Sequence, residues 1–152
     1  MIDLPTLADL KVVSIAGLTC GVLDISCTGT LNRLRGVELT RTLQGVASGA
    51  LGPKSFTGGR GTAALGLGFH FLIAFGAAAV YYFASREFSF LNEHAVLCGL
   101  LYGVAVHLFM SFVVLPLSAL KRPFSVSFFA IQFLVHMVCV GLPISLIVRH
   151  FA

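Results

Sequence analysis

The chain has 152 residues, of which 57% are hydrophobic and 11% are charged, and its mean hydropathy is +0.97. A disordered polymer combines low hydrophobicity with high net charge, so the composition excludes that class. It also excludes an ordinary soluble domain, in which about a quarter of the residues are charged. The sequence therefore predicts an integral membrane protein.

Four apolar segments follow one another along the chain, each close to the length of about 20 residues that a spanning helix needs. They cover residues 12–31, 62–83, 95–117 and 125–148. Spans and connections together use nearly the whole sequence, which leaves no room for a soluble domain. We therefore expect one membrane domain, residues 1–152, folded as an all-α four-helix bundle.

The longest connection, between the first two spans, contains one amphipathic stretch at residues 37–51. Apolar residues recur there at helical spacing, with Arg41 and Gln44 expected on the opposite face. These apolar residues are Leu39, Leu43, Val46, Ala47, Ala50 and Leu51. The pattern predicts a short helix that lies at the membrane interface or against the bundle and ends at Gly52 and Pro53.

The basic residues lie at the ends of the apolar segments, so the net charge of +4 does not indicate a nucleic-acid partner. Four spans would place three basic residues on one side of the membrane and seven on the other. The first set is Lys11, Arg86 and Arg149, and the second is Arg33, Arg35, Arg41, Lys54, Arg60, Lys121 and Arg122. The positive-inside rule therefore predicts that the second set is cytoplasmic and that both termini face outward.

Four cysteines, Cys20, Cys27, Cys98 and Cys139, all lie within apolar segments. None forms a C-x-x-C pair, so the sequence contains no zinc-knuckle or thioredoxin-type motif. We expect buried free thiols that pack as small hydrophobic side chains.

Two glycine pairs have the i, i+4 spacing that permits close crossing of membrane helices. They are Gly17 with Gly21 and Gly99 with Gly103. Such pairs act within a bundle or toward a partner, and in a chain of four helices we favour the first.

Each predicted span carries one ionisable residue in its interior: Asp24, His70, His107 and His136. At a rise of about 1.5 Å per residue, all four fall at similar depth, near the middle of a hydrocarbon core about 30 Å thick. Each also shares a helical face with small or polar residues, the face on which membrane helices pack. We therefore expect a polar layer inside the bundle.

Three interpretations of this layer remain open. In the first it is structural, with Asp24 bonded to a histidine. In the second, His70, His107 and His136 are candidate ligands of a b-type haem or a metal, with Asp24 as their hydrogen-bond or proton partner. In the third the layer conducts protons or ions, for which intramembrane Asp and His are the usual residues. Single histidines on separate helices form no diagnostic motif.

The last three spans resemble a known family. The second reads HFLIAFG from His70, the third reads GLLYGVAVHLFMSFVVLPLSAL from Gly99, and the fourth carries His136 and ends at Arg149. This order resembles the YagU-like family of small bacterial inner-membrane proteins, over about residues 62–149. The positions that match the family are His70 and His136. The resemblance implies a bacterial inner-membrane location, but no activity beyond a loose link to acid tolerance.

No catalytic motif stands out in the sequence, so we expect a protein that is not an enzyme. Because almost no mass lies outside the spans, substrate chemistry or regulation would occur within lipid or on a partner. The leading hypothesis is an accessory or assembly subunit of a larger membrane complex, with the bilayer and other membrane subunits as partners. The alternatives are an electron- or proton-transfer module and a stand-alone ion-conducting protein.

Overall fold

The computed structural model describes residues 6–120 and 125–152, and within them it contains helices and no β-strand. Four helices are long and apolar enough to cross a membrane: α1 (Leu7–Leu34), α3 (Gly59–Glu87), α5 (Ala95–Leu117) and α6 (Val126–Phe151). Two shorter helices connect them, α2 (Leu39–Leu51) and α4 (Phe90–Glu93). The all-α prediction with four helices of spanning length is confirmed.

Helix α1 begins earlier than the predicted span, residues 12–31, because its start is capped by polar side chains. The Thr6 hydroxyl accepts a hydrogen bond from the Asp9 amide at 3.2 Å, and the Asp9 carboxylate accepts one from the Thr6 amide at 2.8 Å. This capping box satisfies two backbone donors that a helix start leaves unpaired. The apolar pattern marks the part of a helix that matches lipid, whereas the backbone bonding continues beyond it.

Helix α2 packs against the beginning of α3 rather than presenting a purely apolar face. A methyl group on Gly66 would overlap the carbonyl oxygen of Leu43, so the two backbones are in direct contact. Gln44 is only 5% exposed, and its Nε2 donates to the Gly59 carbonyl at 3.0 Å. The prediction that Gln44 lies on the outer polar face is therefore wrong. The start of α3 presents polar backbone groups to α2, so an amide side chain fits at position 44 better than an aliphatic one.

Both glycine pairs pack within the bundle. Gly17 and Gly21 face the rings of Phe75 and Phe71 on α3. A Cβ added to Gly103 would lie 2.6 Å from the Met137 Cα on α6. Gly99 packs in the same way against Ser145 and Gly141. The preference for packing inside the bundle is confirmed.

One end of the bundle, here called the Asp9 end, joins the beginning of α1 to the final turns of α3 and α6. The Asp9 carboxylate accepts hydrogen bonds from the Tyr82 hydroxyl and, at 3.2 Å, from Arg86 Nη1. Lys11 Nζ lies 5.7 Å from the centre of the Phe151 ring. Because the beginning of α1 and the end of α6 lie at the same end, the chain runs the length of the bundle an even number of times. At the opposite end, Lys121 and Arg122 lie outside the described residues.

An apolar cluster fills the bundle on the side of the Asp9 end. Its members come from α1, α3 and α6 and are almost fully buried. They include Val12, Ala16, Ala74, Ala78, Val140, Ile144 and Val148. Along each of these helices, the cluster lies between the Asp9 end and the ionisable residue of the span.

Two spans contain π-helical turns. The π segment of α5 is Met110–Val114 and that of α6 is His136–Gly141. Each ends two residues before a proline, Pro116 or Pro143. Proline has no amide hydrogen and its ring clashes with the preceding turn, so a widened turn accommodates it. The second π segment begins at one of the predicted site histidines.

Candidate functional site in the bundle interior

The ionisable residues of α1 and α3 form a pair. His70 Nε2 is 2.8 Å from the Gly21 carbonyl, which can only accept, so this nitrogen carries the hydrogen. The other ring nitrogen, Nδ1, then faces Asp24 at 3.9 Å from Oδ2. A proton at that nitrogen would convert the contact into an ion pair.

A polar bridge connects this pair to α6. The Thr28 hydroxyl lies 3.5 Å from Asp24 Oδ1 and 3.4 Å from Gln132 Oε1, and it donates to one of these oxygens at a time. Gln132 Nε2 in turn donates to the Thr28 oxygen at 3.3 Å. The main-chain carbonyl of Gln132 accepts from His136 Nδ1 at 2.7 Å. The bridge thus runs from the carboxylate on α1 to the histidine at the start of the α6 π segment.

The histidines of α5 and α6 form the second pair. Their ring centres, in His107 and His136, are 5.1 Å apart with an interplanar angle of 56°. His107 is 3% exposed and also contacts the rings of Phe129 and Phe133. Within the described residues, His107 Nε2 has no hydrogen-bond partner. Buried polar atoms without a partner are rare, which makes this nitrogen the least satisfied polar atom of the layer.

The four predicted residues therefore form two pairs, Asp24–His70 and His107–His136, joined through Thr28. We call this set, together with Gln132, the polar layer. Its contacts run laterally from helix to helix, and the apolar cluster closes it toward the Asp9 end. In this conformation the polar side chains do not extend from one end of the bundle to the other.

A haem or metal site would need a different arrangement of these side chains. Within the described residues, no group of three or more His, Cys, Asp and Glu side chains could hold a metal ion. An iron ligated by both His107 and His136 would have to lie between two rings that here touch each other. The candidate ligands thus stay a prediction, and their use would require the rings to separate.

Sequence reasoning missed the contact between two of the four free cysteines. The sulfur of Cys27 on α1 lies 3.1 Å from that of Cys139 on α6. One signal was present in the sequence: Cys27 follows Asp24 by three residues, and Cys139 follows His136 by the same interval. Three residues is nearly one helical turn, so each thiol shares a face with a residue of the polar layer.

A second candidate site, also missed from sequence, lies at the Asp9 end. A cavity of about 400 Å³ opens there. Its lining includes Asp9, Tyr82, Ser85, Arg86, Asn92 and Phe151. Within the described residues, the buried Oδ1 of Asn92 accepts no hydrogen bond, which leaves one acceptor for a donor in the cavity.

Comparison of the chain with family models, with curated proteins and with solved structures finds no match. The resemblance to the YagU-like family therefore remains a prediction from the residues quoted above.

Proposed function

We propose that the protein is a non-enzymatic accessory or assembly subunit of a larger membrane complex. The observation that carries this proposal is a row at i, i+4 spacing on the outer face of α3, which is small at Ala64, Gly68 and Gly76 and is interrupted by Leu72. A Cβ at Gly68 or Gly76 would meet no described atom within 4 Å, and Ala64 and Leu72 of the same row are exposed. Small residues at i, i+4 intervals let a second helix approach closely in lipid, where packing drives association.

The occupant we propose for this row is a transmembrane helix of a different protein. Outside the four spans, the described residues form the connection that contains α2 and shorter turns, so the chain has little of its own with which to act on a substrate. A second copy would add only more of the same surface. A partner with its own catalytic or transport centre would gain a rigid four-helix neighbour.

The polar layer supports this proposal over ion conduction. Most of its side chains bond to one another or to nearby backbone, as in a structural network. The apolar cluster blocks a water or proton route toward the Asp9 end. A conducting protein would need an alternative conformation that opens this cluster.

The location is part of the same proposal. A bacterial inner membrane, with both termini outside, is supported by the bias of basic residues and by the YagU-like resemblance. Helices of spanning length fit a multi-pass protein of this kind.

The proposal is tested by native mass spectrometry of the protein gently extracted from its own membrane. We expect a mass that exceeds 16.2 kDa, or any multiple of it, by that of a second protein. Gly68→Leu and Gly76→Leu should each release that protein, because the added side chain fills the row. Ala105→Leu is the matched control, since Ala105 is an exposed small residue on α5.

Three results would overturn the proposal. The first is the mass of the bare chain or a simple multiple of it. The second is a partner that stays bound in both glycine variants. The third is an added mass of haem or metal size, which would favour a cofactor-binding function of the histidines instead.

A further inference from the structure

Cys27 and Cys139 come from different spans and are 112 positions apart, yet their sulfurs are in contact at 3.1 Å. Both thiols are free. A disulfide bond has a length of about 2.05 Å, so the sulfurs must approach by about 1 Å.

The other two cysteines show that this contact is specific. The Cys20 thiol lies 3.4 Å from the Gly17 carbonyl and also approaches the Ala74 carbonyl. Cys98 lies near the Phe90 carbonyl at 3.8 Å. Each of these two thiols thus faces a backbone acceptor, whereas the sulfur of Cys27 faces another sulfur.

We propose that Cys27 and Cys139 form a redox site, a dithiol that a lipid-soluble quinone oxidises to a disulfide. Two S–H bonds break and one S–S bond forms, while two electrons and two protons pass to the quinone and give the quinol. Cys139 is buried and lies near the middle of α6, and the partly buried Cys27 contacts it, so the oxidant we propose is one that enters through lipid. A quinone is an oxidant of that solubility class.

Two groups that can accept protons lie about one helical turn before the two thiols. Thiol oxidation proceeds through the thiolate, which requires a nearby proton acceptor. Asp24 precedes Cys27 by three residues, and His136 precedes Cys139 by three. A carboxylate and an imidazole therefore accompany the pair, one on each helix. The polar layer would serve here as the local acceptor of protons on their way to the quinol.

Formation of the bond would join α1 covalently to α6 beside the Thr28–Gln132 bridge. In the reduced protein, Thr28 and Gln132 join α1 to α6 here through weak hydrogen bonds of 3.3–3.4 Å. Oxidation would fix the same contact, and reduction by a dithiol would release it.

The test uses the full chain in liposomes, with Cys20 and Cys98 replaced by Ser so that only the proposed pair remains. A short-chain benzoquinone such as decylubiquinone should remove both thiols from maleimide labelling after denaturation and lower the intact mass by about 2 Da. Dithiothreitol should restore both. Oxidised glutathione, which stays in water, should leave both thiols labelled. In the wild type, peptide mapping after quinone treatment should find the Cys27–Cys139 link.

Cys27→Ser and Cys139→Ser, each in the same double-Ser background, are the matched controls. Each retains one thiol, which should stay labelled after quinone treatment. Two free thiols after treatment of the proposed pair would overturn the proposal. So would a stable quinone adduct, equal oxidation by glutathione disulfide, or a wild-type link between other cysteines.

Discussion

Glycines in the spans differ in whether another helix covers the position that a Cβ atom would occupy. Gly103 faces backbone of α6, and an added Cβ would lie 2.6 Å from the Met137 Cα. Gly68 and Gly76 face open space. Helical spacing alone does not separate these groups, because both have small neighbours. The difference lies in which face of each helix another helix covers.

We expect Gly103→Ala to destabilise the bundle by about 1–3 kcal/mol, the range found for overpacked interiors. The methyl group has only backbone to displace, so α5 and α6 must move apart. Thermal unfolding of the purified protein in detergent measures the effect. Gly68→Ala, a matched control on the open face of α3, should leave the unfolding temperature unchanged or slightly raised, because alanine favours the helix. Equal loss in both variants would contradict the packing of α5 on α6.

His70 and Asp24 give a second prediction at the scale of single residues. His70→Leu leaves the carboxylate without its facing imidazole, and an unsatisfied polar group in a protein interior costs about 1–3 kcal/mol. The double variant Asp24→Leu, His70→Leu should recover much of this loss, because two apolar groups replace both partners. Unfolding of the single and double variants gives the coupling energy directly.

His136→Leu is the control for the single and double variants of Asp24 and His70. Its Nδ1 donates only to the Gln132 carbonyl of its own helix, so we expect a smaller loss and normal membrane insertion. Strictly additive effects of the Asp24 and His70 substitutions would contradict their pairing. Failure of His136→Leu to fold would contradict the smaller structural contribution that we expect from His136.

At the scale of helices, hydropathy predicted the four long helices because the signal is local to each segment. The same reasoning misplaced Gln44 on α2, since the faces of a short amphipathic helix depend on what it packs against. The contact between Cys27 and Cys139 was beyond sequence reasoning for a similar reason. It requires the relative rotation of α1 and α6, which glycine packing and the π segment of α6 determine together.

Substitutions in α2 can distinguish packing of this helix on α3 from its binding at the membrane interface. Gln44→Leu removes the donor to the Gly59 carbonyl and should destabilise the start of α3 by about 1–2 kcal/mol. Hydrogen exchange should then accelerate at the first turns of α3. Thr40→Leu is the control, because Thr40 is exposed on the same helix. A helix that lies on lipid through Gln44's face would instead gain from the leucine, and slower exchange in that variant would favour the interfacial interpretation.

For the whole molecule, the two ends of the bundle differ in charge and in structure. At the Asp9 end, Arg86 is paired with Asp9. Among the described residues, the basic ones there, Lys11, Arg86 and Arg149, are equalled in number by the acidic residues Asp9, Glu87 and Glu93. The opposite end has the Arg-rich connection around α2. The sequence predicted that the four ionisable residues come together inside the bundle. It did not predict their division into two pairs, since that depends on which helices are neighbours.

The charge difference between the ends predicts the orientation in the membrane. We place single cysteines at Ala152 and Thr57 in a chain whose four native cysteines are replaced by Ser. A membrane-impermeant maleimide should label Ala152→Cys in intact cells and should leave Thr57→Cys unlabelled until the membrane is opened. Labelling of Thr57→Cys alone in intact cells would reverse the orientation. Labelling of both positions would put them on the same side of the membrane and would require an even number of crossings between them. That result would contradict the four-span arrangement, in which α3, α5 and α6 cross between Thr57 and Ala152.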